Sequence, residues 1–240
     1  SAITYYGHTK ALLETHCTRC HTPGESATPY LTSYQMVSAA QASIVASLES
    51  GHMPPAQVEP LCEAYTPDRS FSDEDLGTLL SWLSDGAPEG YPADYVAPFV
   101  PPATALSGTT VTLEMSEPYT PMPGGDDYRC VPLTWPGTVT LYVTGTQIKP
   151  GVRSQIEQVF AYIAPPQLSA KLAQADLAHP GGGYPCMGSP LPSDKSMQGE
   201  LAPAWLDVWH PGDAGKVLPA GTGIRIEPGS TVILQIHYTA

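Results

Sequence analysis

Asparagine is absent from this chain of 240 residues, and lysine and arginine together number only 10. Without asparagine, N-linked glycosylation has no acceptor site. Aspartate and glutamate number 23, so the net charge is -13 at neutral pH. Because no basic run offers a surface to phosphates, we expect no nucleic-acid partner. The acidic charge instead favours solubility or a basic partner protein.

Long hydrophobic runs are also lacking. No stretch reaches the roughly 18 apolar residues that a membrane-spanning helix needs, so we expect a chain that does not span a membrane. No secretory signal peptide is visible, and the start at Ser1 is typical of a processed or trimmed protein. A lipid anchor upstream stays open.

Two parts of the chain differ in the spacing of their apolar residues. Up to residue 89 the spacing is helical, as in Ala39–Leu48. A further helix is predicted to begin after Ser72, an N-cap followed by three acidic residues that complement the helix dipole. Residues 90–104 contain four prolines with little periodicity, and we interpret them as a stiff linker.

Residues 105–240 follow the pattern of short strands. Proline and glycine pairs separate segments rich in alternating, β-branched and aromatic residues; the predicted strands are 109–115, 138–143, 158–163 and 231–238. Such strands with tight turns favour an antiparallel sandwich or jelly roll. The sequence therefore predicts a multidomain chain, in which an all-α domain (1–89) precedes an all-β, antiparallel, jelly-roll-like sandwich (105–240).

The segment Cys17-Thr18-Arg19-Cys20-His21 contains C-x-x-C-H, the attachment pattern of c-type haem. Thiols on one helical turn can each form a thioether with a haem vinyl group, and the next residue places its imidazole at the iron. A zinc site would need further paired ligands, which do not follow at suitable spacing. A thioredoxin-like pair would follow a strand, whereas helical segments flank this motif. We expect one covalent haem c at Cys17 and Cys20, with His21 ligating the iron.

The sixth iron ligand has three candidates. Met53 lies in Gly51-His52-Met53-Pro54-Pro55, where the prolines fix the backbone and hold the thioether towards the iron. Methionine–histidine ligation raises the haem potential and suits electron transfer. His52 would give bis-histidine ligation and a lower potential, while the helical setting of Met36 indicates a core role. We expect Met53.

Residues 3–97 resemble the small cytochrome c module of bacterial multidomain proteins. The matching stretches are Cys17–Gly24, Pro29–Leu31 with Tyr34, Met53–Pro55 and Phe71–Gly90. The resemblance implies an all-α class I cytochrome c domain. In those proteins the module often precedes a copper type II, ascorbate-dependent monooxygenase domain.

The second half resembles the N-terminal half of that monooxygenase domain. The matching stretches are Asp127–Cys130, Gly183–Cys186, Pro219–Arg225 and Leu234–Tyr238. In that family two adjacent histidines and the histidine matched by His237 hold the first copper, but Glu157 and Gln158 occupy the positions of the pair. One imidazole with a carboxylate and an amide suits copper redox chemistry poorly. We expect His237 to be a vestigial copper ligand and copper not to be a cofactor.

The resemblance also implies a disulfide between Cys130 and Cys186, since the matching positions are bonded in the monooxygenase family. Cys62 is then left over, as a buried thiol or a link to another chain. Haem attachment and disulfides are both made outside the cytoplasm, so we expect the periplasm or the cell surface.

Three functions follow from these observations. The first is electron transfer to a redox protein partner or within a larger extracytoplasmic complex, with the sandwich serving binding or assembly and no enzymatic activity. The second is a copper monooxygenase supplied with electrons by its own cytochrome. The third is a structural haem-containing subunit. Because Glu157 and Gln158 replace the histidine pair, we expect the first.

Overall fold

The computed structural model describes residues 2–55, 71–99, 106, 108, 110–179, 181–192 and 202–239. The chain divides into two compact units, Ser1–Pro101 and Pro102–Ala240. Among the described residues, no helix combines the length and the apolar character needed to cross a membrane.

Short helices build the first unit. A π-helical turn (Tyr5–Thr9) leads into α1 (Lys10–His16), which is followed by α2 (Tyr34–Ala39), α3 (Gln41–Glu49), α4 (Asp73–Ser84) and a 3-10 turn (Pro92–Asp94). The expected helix Ala39–Leu48 corresponds to α3, which begins only at Gln41 because the backbone at Ala40 leaves the helical region with φ -97° and ψ 6°. These helices share one core, formed by Tyr5, Leu13, Val37, Leu48, Leu79, Trp82 and Leu83.

The start of α4 agrees with the sequence prediction. The Ser72 hydroxyl oxygen accepts a hydrogen bond from the Asp75 backbone N–H at 3.0 Å, which satisfies one of the free donors of the first turn. Three acidic residues occupy that turn. Leu79, Trp82 and Leu83 point into the core at helical spacing.

The segment before α1 is hydrogen-bonded to the segment that follows α4. The backbone N–H of Tyr5 donates to the Pro88 carbonyl at 2.8 Å, and that of Tyr6 donates to the Glu89 carbonyl at 3.1 Å. The Trp82 indole N–H also donates to the Pro88 carbonyl, at 3.0 Å. The chain after α4 is therefore tied to the segment that precedes α1.

The first part of the expected linker packs on the helical unit. The Tyr95 hydroxyl donates a hydrogen bond to Glu14 of α1. The Lys10 ammonium lies 3.4 Å from the centre of the Tyr95 ring. Residues 100–105 lie outside the described part of the chain.

The second unit is centred on a five-stranded antiparallel sheet. Its elements in chain order are β1 (Asp126–Thr134), β2 (Leu141–Val143), β3 (Gly145–Thr146), β4 (Ile156–Ala164), α5 (Pro166–Leu177), β5 (Tyr184–Pro185), β6 (Ala204–Trp209), β7 (Lys216–Val217), β8 (Ile224–Ile226) and β9 (Thr231–Thr239). The strand order is β5-β1-β9-β4-β6, and β2–β8 and β3–β7 form two separate ribbons. β9 is therefore the middle strand, paired with β1 and β4 along its length.

The central sheet is covered on both faces. Val131, Ala161 and Ile236 belong to the larger core on one face. The other face carries Cys130 and Ile233, which pack with Leu168 and Leu172 of α5. Cys186 forms a disulfide with Cys130 across this second core, the pair that the resemblance implied. Cys62 lies outside the described residues.

The expected fold class is wrong. Helices make up 28% and strands 22% of the structure, and the helices are small. The described residues do not present an all-α cytochrome domain. The second unit is not all-β, because α5 spans 12 residues and covers one sheet face. Pro166 at the helix start and leucines at 168 and 172 are local signals that favour a helix here.

The individual strand predictions have mixed outcomes. β4 and β9 lie where 158–163 and 231–238 were predicted. Of 138–143, only Leu141–Val143 is a strand, and residues 110–115 form none. β1 and β6 were missed, although β1 contains the motif Asp127–Cys130.

Candidate functional site

The C-x-x-C-H motif forms a compact turn at the end of α1. The Cys17 backbone N–H donates to the Leu13 carbonyl at 2.8 Å and so continues the helical pattern. The Cys17 carbonyl then accepts from the N–H groups of Cys20, at 3.1 Å, and His21, at 3.0 Å. This turn brings both thiols and the imidazole to one end of the helix. Neither Cys17 nor Cys20 is in a disulfide.

The loop after the motif closes on His21. Its Nδ1 lies 2.7 Å from the Pro29 carbonyl oxygen, and its backbone carbonyl accepts from the Leu31 N–H at 2.9 Å. A carbonyl oxygen can only accept, so Nδ1 carries the proton. The lone pair of the neutral ring is then on Nε2, which is the arrangement of a metal-ligating histidine oriented by a backbone carbonyl.

The Cys17 thiol lies in a less polar setting than a free cysteine. Burial is the larger cause and the charge of the nearby Cys20 the smaller one, and together they raise the pKa of the Cys17 thiol to about 12. The thiol is therefore protonated at neutral pH, and it is a poor nucleophile or metal ligand without a partner that removes the proton.

The three candidates for the sixth ligand differ in exposure. Met53 is half-buried in the loop after α3, where its backbone N–H donates to the Ser47 carbonyl at 3.1 Å, whereas His52 is exposed. Met36 is 39% exposed and does not have the expected core role. It lines a cavity of about 440 Å³ together with Pro29 and Tyr30. The Thr32 hydroxyl donates to its sulfur at 3.4 Å.

A second group of chemically active side chains lies on the sheet of the second unit. His237, on the middle strand β9, stands opposite Tyr128 of β1. Asp126 lies two residues before Tyr128, on the same face of β1. A bulge in β4, between Ile156 and Gln158, leaves Glu157 without a register partner. Such an extra residue bends the strand and re-aims its side chain.

These side chains surround the imidazole of His237, which is buried. Asp126 Oδ1 lies 3.1 Å from Nε2, and Glu157 Oε2 lies 3.4 Å from Nδ1. Neither ring nitrogen makes a hydrogen bond. The Tyr128 ring stacks on the imidazole with 4.1 Å between centroids and 10° between planes. The ring is thus held by stacking, with polar edges facing two carboxylates.

The electrostatics of this group are acidic. Asp126 and Glu157 are largely exposed and, among the described residues, pair only with His237. Partial burial raises the pKa of Tyr128, and the charges of Asp126 and Glu157 raise it further. Its hydroxyl therefore stays protonated at neutral pH.

Sequence reasoning found His237 and Glu157 but missed Asp126. Glu157 was judged only as a replacement for a copper-ligating histidine. Asp126 precedes the motif Asp127–Cys130 and carries no local signal, since its closeness to His237 depends on the pairing of β1 with β9.

Comparisons with protein-family models and with curated proteins find no match for this chain. The resemblance to a cytochrome c module and a copper monooxygenase domain therefore stays a prediction.

Proposed function

We propose that this protein is an extracytoplasmic c-type cytochrome that transfers electrons through one haem attached to Cys17 and Cys20. His21 and Met53 are the residues that would ligate its iron. The observation that carries the proposal is the 2.7 Å contact between His21 Nδ1 and the Pro29 carbonyl oxygen. It leaves Nε2 of the motif histidine as the free ligand nitrogen.

The residues present fit a covalently attached haem. Two cysteines outside any disulfide share one turn with a histidine whose tautomer is fixed. When bound, the haem iron would accept and release one electron. The protein would hold it through two thioether bonds, so the group could not dissociate. The apolar core of the first unit would limit water near it, and exclusion of water tunes the potential.

The half-buried side chain of Met53 supports methionine over His52 as the second residue that would ligate the iron. A thioether stabilises reduced iron better than a second imidazole does, so the potential is raised. A high-potential haem suits transfer between proteins.

The second unit has a binding or assembly role in this proposal. Two carboxylates replace softer ligands around His237, which disfavours the reduced state of copper. The net charge of -13 favours a redox partner with a basic docking surface, because complementary charge speeds encounter.

Expression of the full chain with a haem-attachment system in the periplasm tests the proposal. The polypeptide mass should rise by one haem, and the haem should stay with the protein through acid–acetone extraction. Cys17→Ala with Cys20→Ala should release it, whereas Cys130→Ala with Cys186→Ala should not. A wild-type chain that loses its haem on extraction would overturn the proposal.

The axial ligand is tested by two matched variants of the haem-loaded protein. Met53→Ala should abolish the weak red charge-transfer band of the oxidised state and lower the reduction potential. His52→Ala, one residue away and exposed, should leave both unchanged. The reverse result would assign the ligand to His52.

A further inference from the structure

We propose that Asp126, Glu157 and His237 form a binding site for a divalent first-row cation, with Zn²⁺ as the best-fitting ion. The site is separate from the haem segment and does not depend on the function proposed above. It differs from a copper redox centre, because two of its three protein ligands are carboxylates.

The geometry brings one ligand atom from each side chain within 4.8 Å of the others. Around a tetrahedral Zn²⁺, ligand atoms are about 3.4 Å apart, given metal–ligand distances of about 2.1 Å. The 3.1 Å separation between Nε2 and Asp126 Oδ1 is close to that spacing, whereas Glu157 Oε2 lies 3.4 Å from the other ring nitrogen, Nδ1. An ion on Nε2 therefore requires the exposed Glu157 carboxylate to rotate towards that nitrogen.

The buried imidazole is a second, independent indication. His237 is 6% exposed, and neither ring nitrogen makes a hydrogen bond. A buried polar group without a hydrogen bond costs about 1–3 kcal/mol, so native structures rarely leave one. A cation bound to one ring nitrogen of His237 would give that nitrogen a partner. The stacked Tyr128 ring already fixes the plane of the imidazole.

Charge balance points the same way. Two carboxylates bring two negative charges, which a divalent cation neutralises. Among the described residues, no lysine or arginine pairs with Asp126 or Glu157, so none of those side chains competes with a metal ion for the two carboxylates. The charge of -13 on the whole chain adds attraction for cations.

The ligand set also indicates what the ion could do. Three protein ligands leave a fourth position for water or a substrate group, as in catalytic rather than structural zinc sites. Hard carboxylate oxygens disfavour Cu(I), so copper at this site would stay in its oxidised state. The site therefore suits Lewis-acid chemistry or the binding of a small anion.

Calorimetric titration of Zn²⁺ into the full, chelator-treated protein tests the proposal. We expect a binding event that His237→Ala removes, and that Asp126→Asn and Glu157→Gln each weaken by about tenfold or more. Because all variants keep Cys17 and Cys20, zinc bound by the thiols cancels in the comparison. Glu227→Gln, beyond the opposite end of β9, is the control and should bind as wild type does.

Two results would overturn the proposal. One is equal Zn²⁺ affinity in wild type, Asp126→Asn and Glu157→Gln, with circular dichroism showing that the variants are folded. The other is a His237 ring that NMR shows to be doubly protonated at neutral pH with Zn²⁺ in excess. That would make the group an ion-paired imidazolium between two carboxylates, since a coordinating imidazole must be neutral.

Discussion

The disulfide between Cys130 and Cys186 should account for a large share of the stability of the second unit. It closes a loop with a sequence separation of 56. The chain-entropy relation then gives about 14 cal/mol/K, or about 4 kcal/mol at 25 °C. Both cysteines are buried, so the change to alanine also loses some packing. We expect Cys130→Ala with Cys186→Ala to lower the free energy of unfolding by at least about 4 kcal/mol.

Hydrogen exchange followed by mass spectrometry resolves this effect within a two-unit chain. Amides of β1 and β9 in the double variant should exchange about 1,000-fold faster, because each loss of about 1.4 kcal/mol in the free energy of unfolding raises the exchange rate about tenfold. Amides of α4 in the first unit should not change, which provides an internal control. A change below about 1 kcal/mol in β1 and β9 would refute the reasoning. Equal acceleration in α4 would show that the loss is not local to the second unit.

Three further predictions concern other parts of the chain. Burial raises the pKa of Tyr238 to about 12 from 10.0. The contribution of Tyr238 to the free energy of unfolding should be constant below pH 10 and should fall by up to about 3 kcal/mol as the pH rises to 12. Denaturant titrations of Tyr238→Phe should show a smaller fall over this pH range. Ser72→Ala should cost about 1 kcal/mol by removing the N-cap of α4, whereas Ser81→Ala, at an exposed position in that helix, should cost almost nothing. The chain loaded with copper should show no ascorbate-dependent hydroxylation, and a hydroxylated product that forms in wild type but not in His237→Ala would contradict this prediction. His237→Ala should also leave the haem spectrum unchanged.

Local signals predicted the elements that depend on neighbouring residues. Ser72 and the acidic residues after it mark the start of α4 because a cap acts within one turn. β4 and β9 were found because their β-branched and aromatic residues are continuous. The helix α5 was not predicted, although Leu168 and Leu172 have helical spacing, because the strand patterns on either side of it favoured an all-β fold for residues 105–240.

The acidic group around His237 could not be predicted from the sequence. It requires β9 to lie between β1 and β4, with Tyr128 opposite His237. It also requires a bulge that re-aims Glu157. Strand order, register and bulges are set by long-range packing, and a slip of one residue would place these side chains on the opposite face. The C-x-x-C-H motif, by contrast, has its chemistry within one turn.

The hydrogen bonds from Tyr5 and Tyr6 to Pro88 and Glu89 make the chain enter and leave the helical unit side by side. Backbones paired in this way are about 5 Å apart, close to the spacing of neighbouring strands. A segment cut at these two points therefore has the geometry of an insert, and domains with adjacent ends tolerate transfer into surface loops of other proteins. Residues 5–89 could be moved as a cassette into a tight turn of a host protein without separating the two ends of that turn, although the contacts of Tyr95 with Lys10 and Glu14 would be lost.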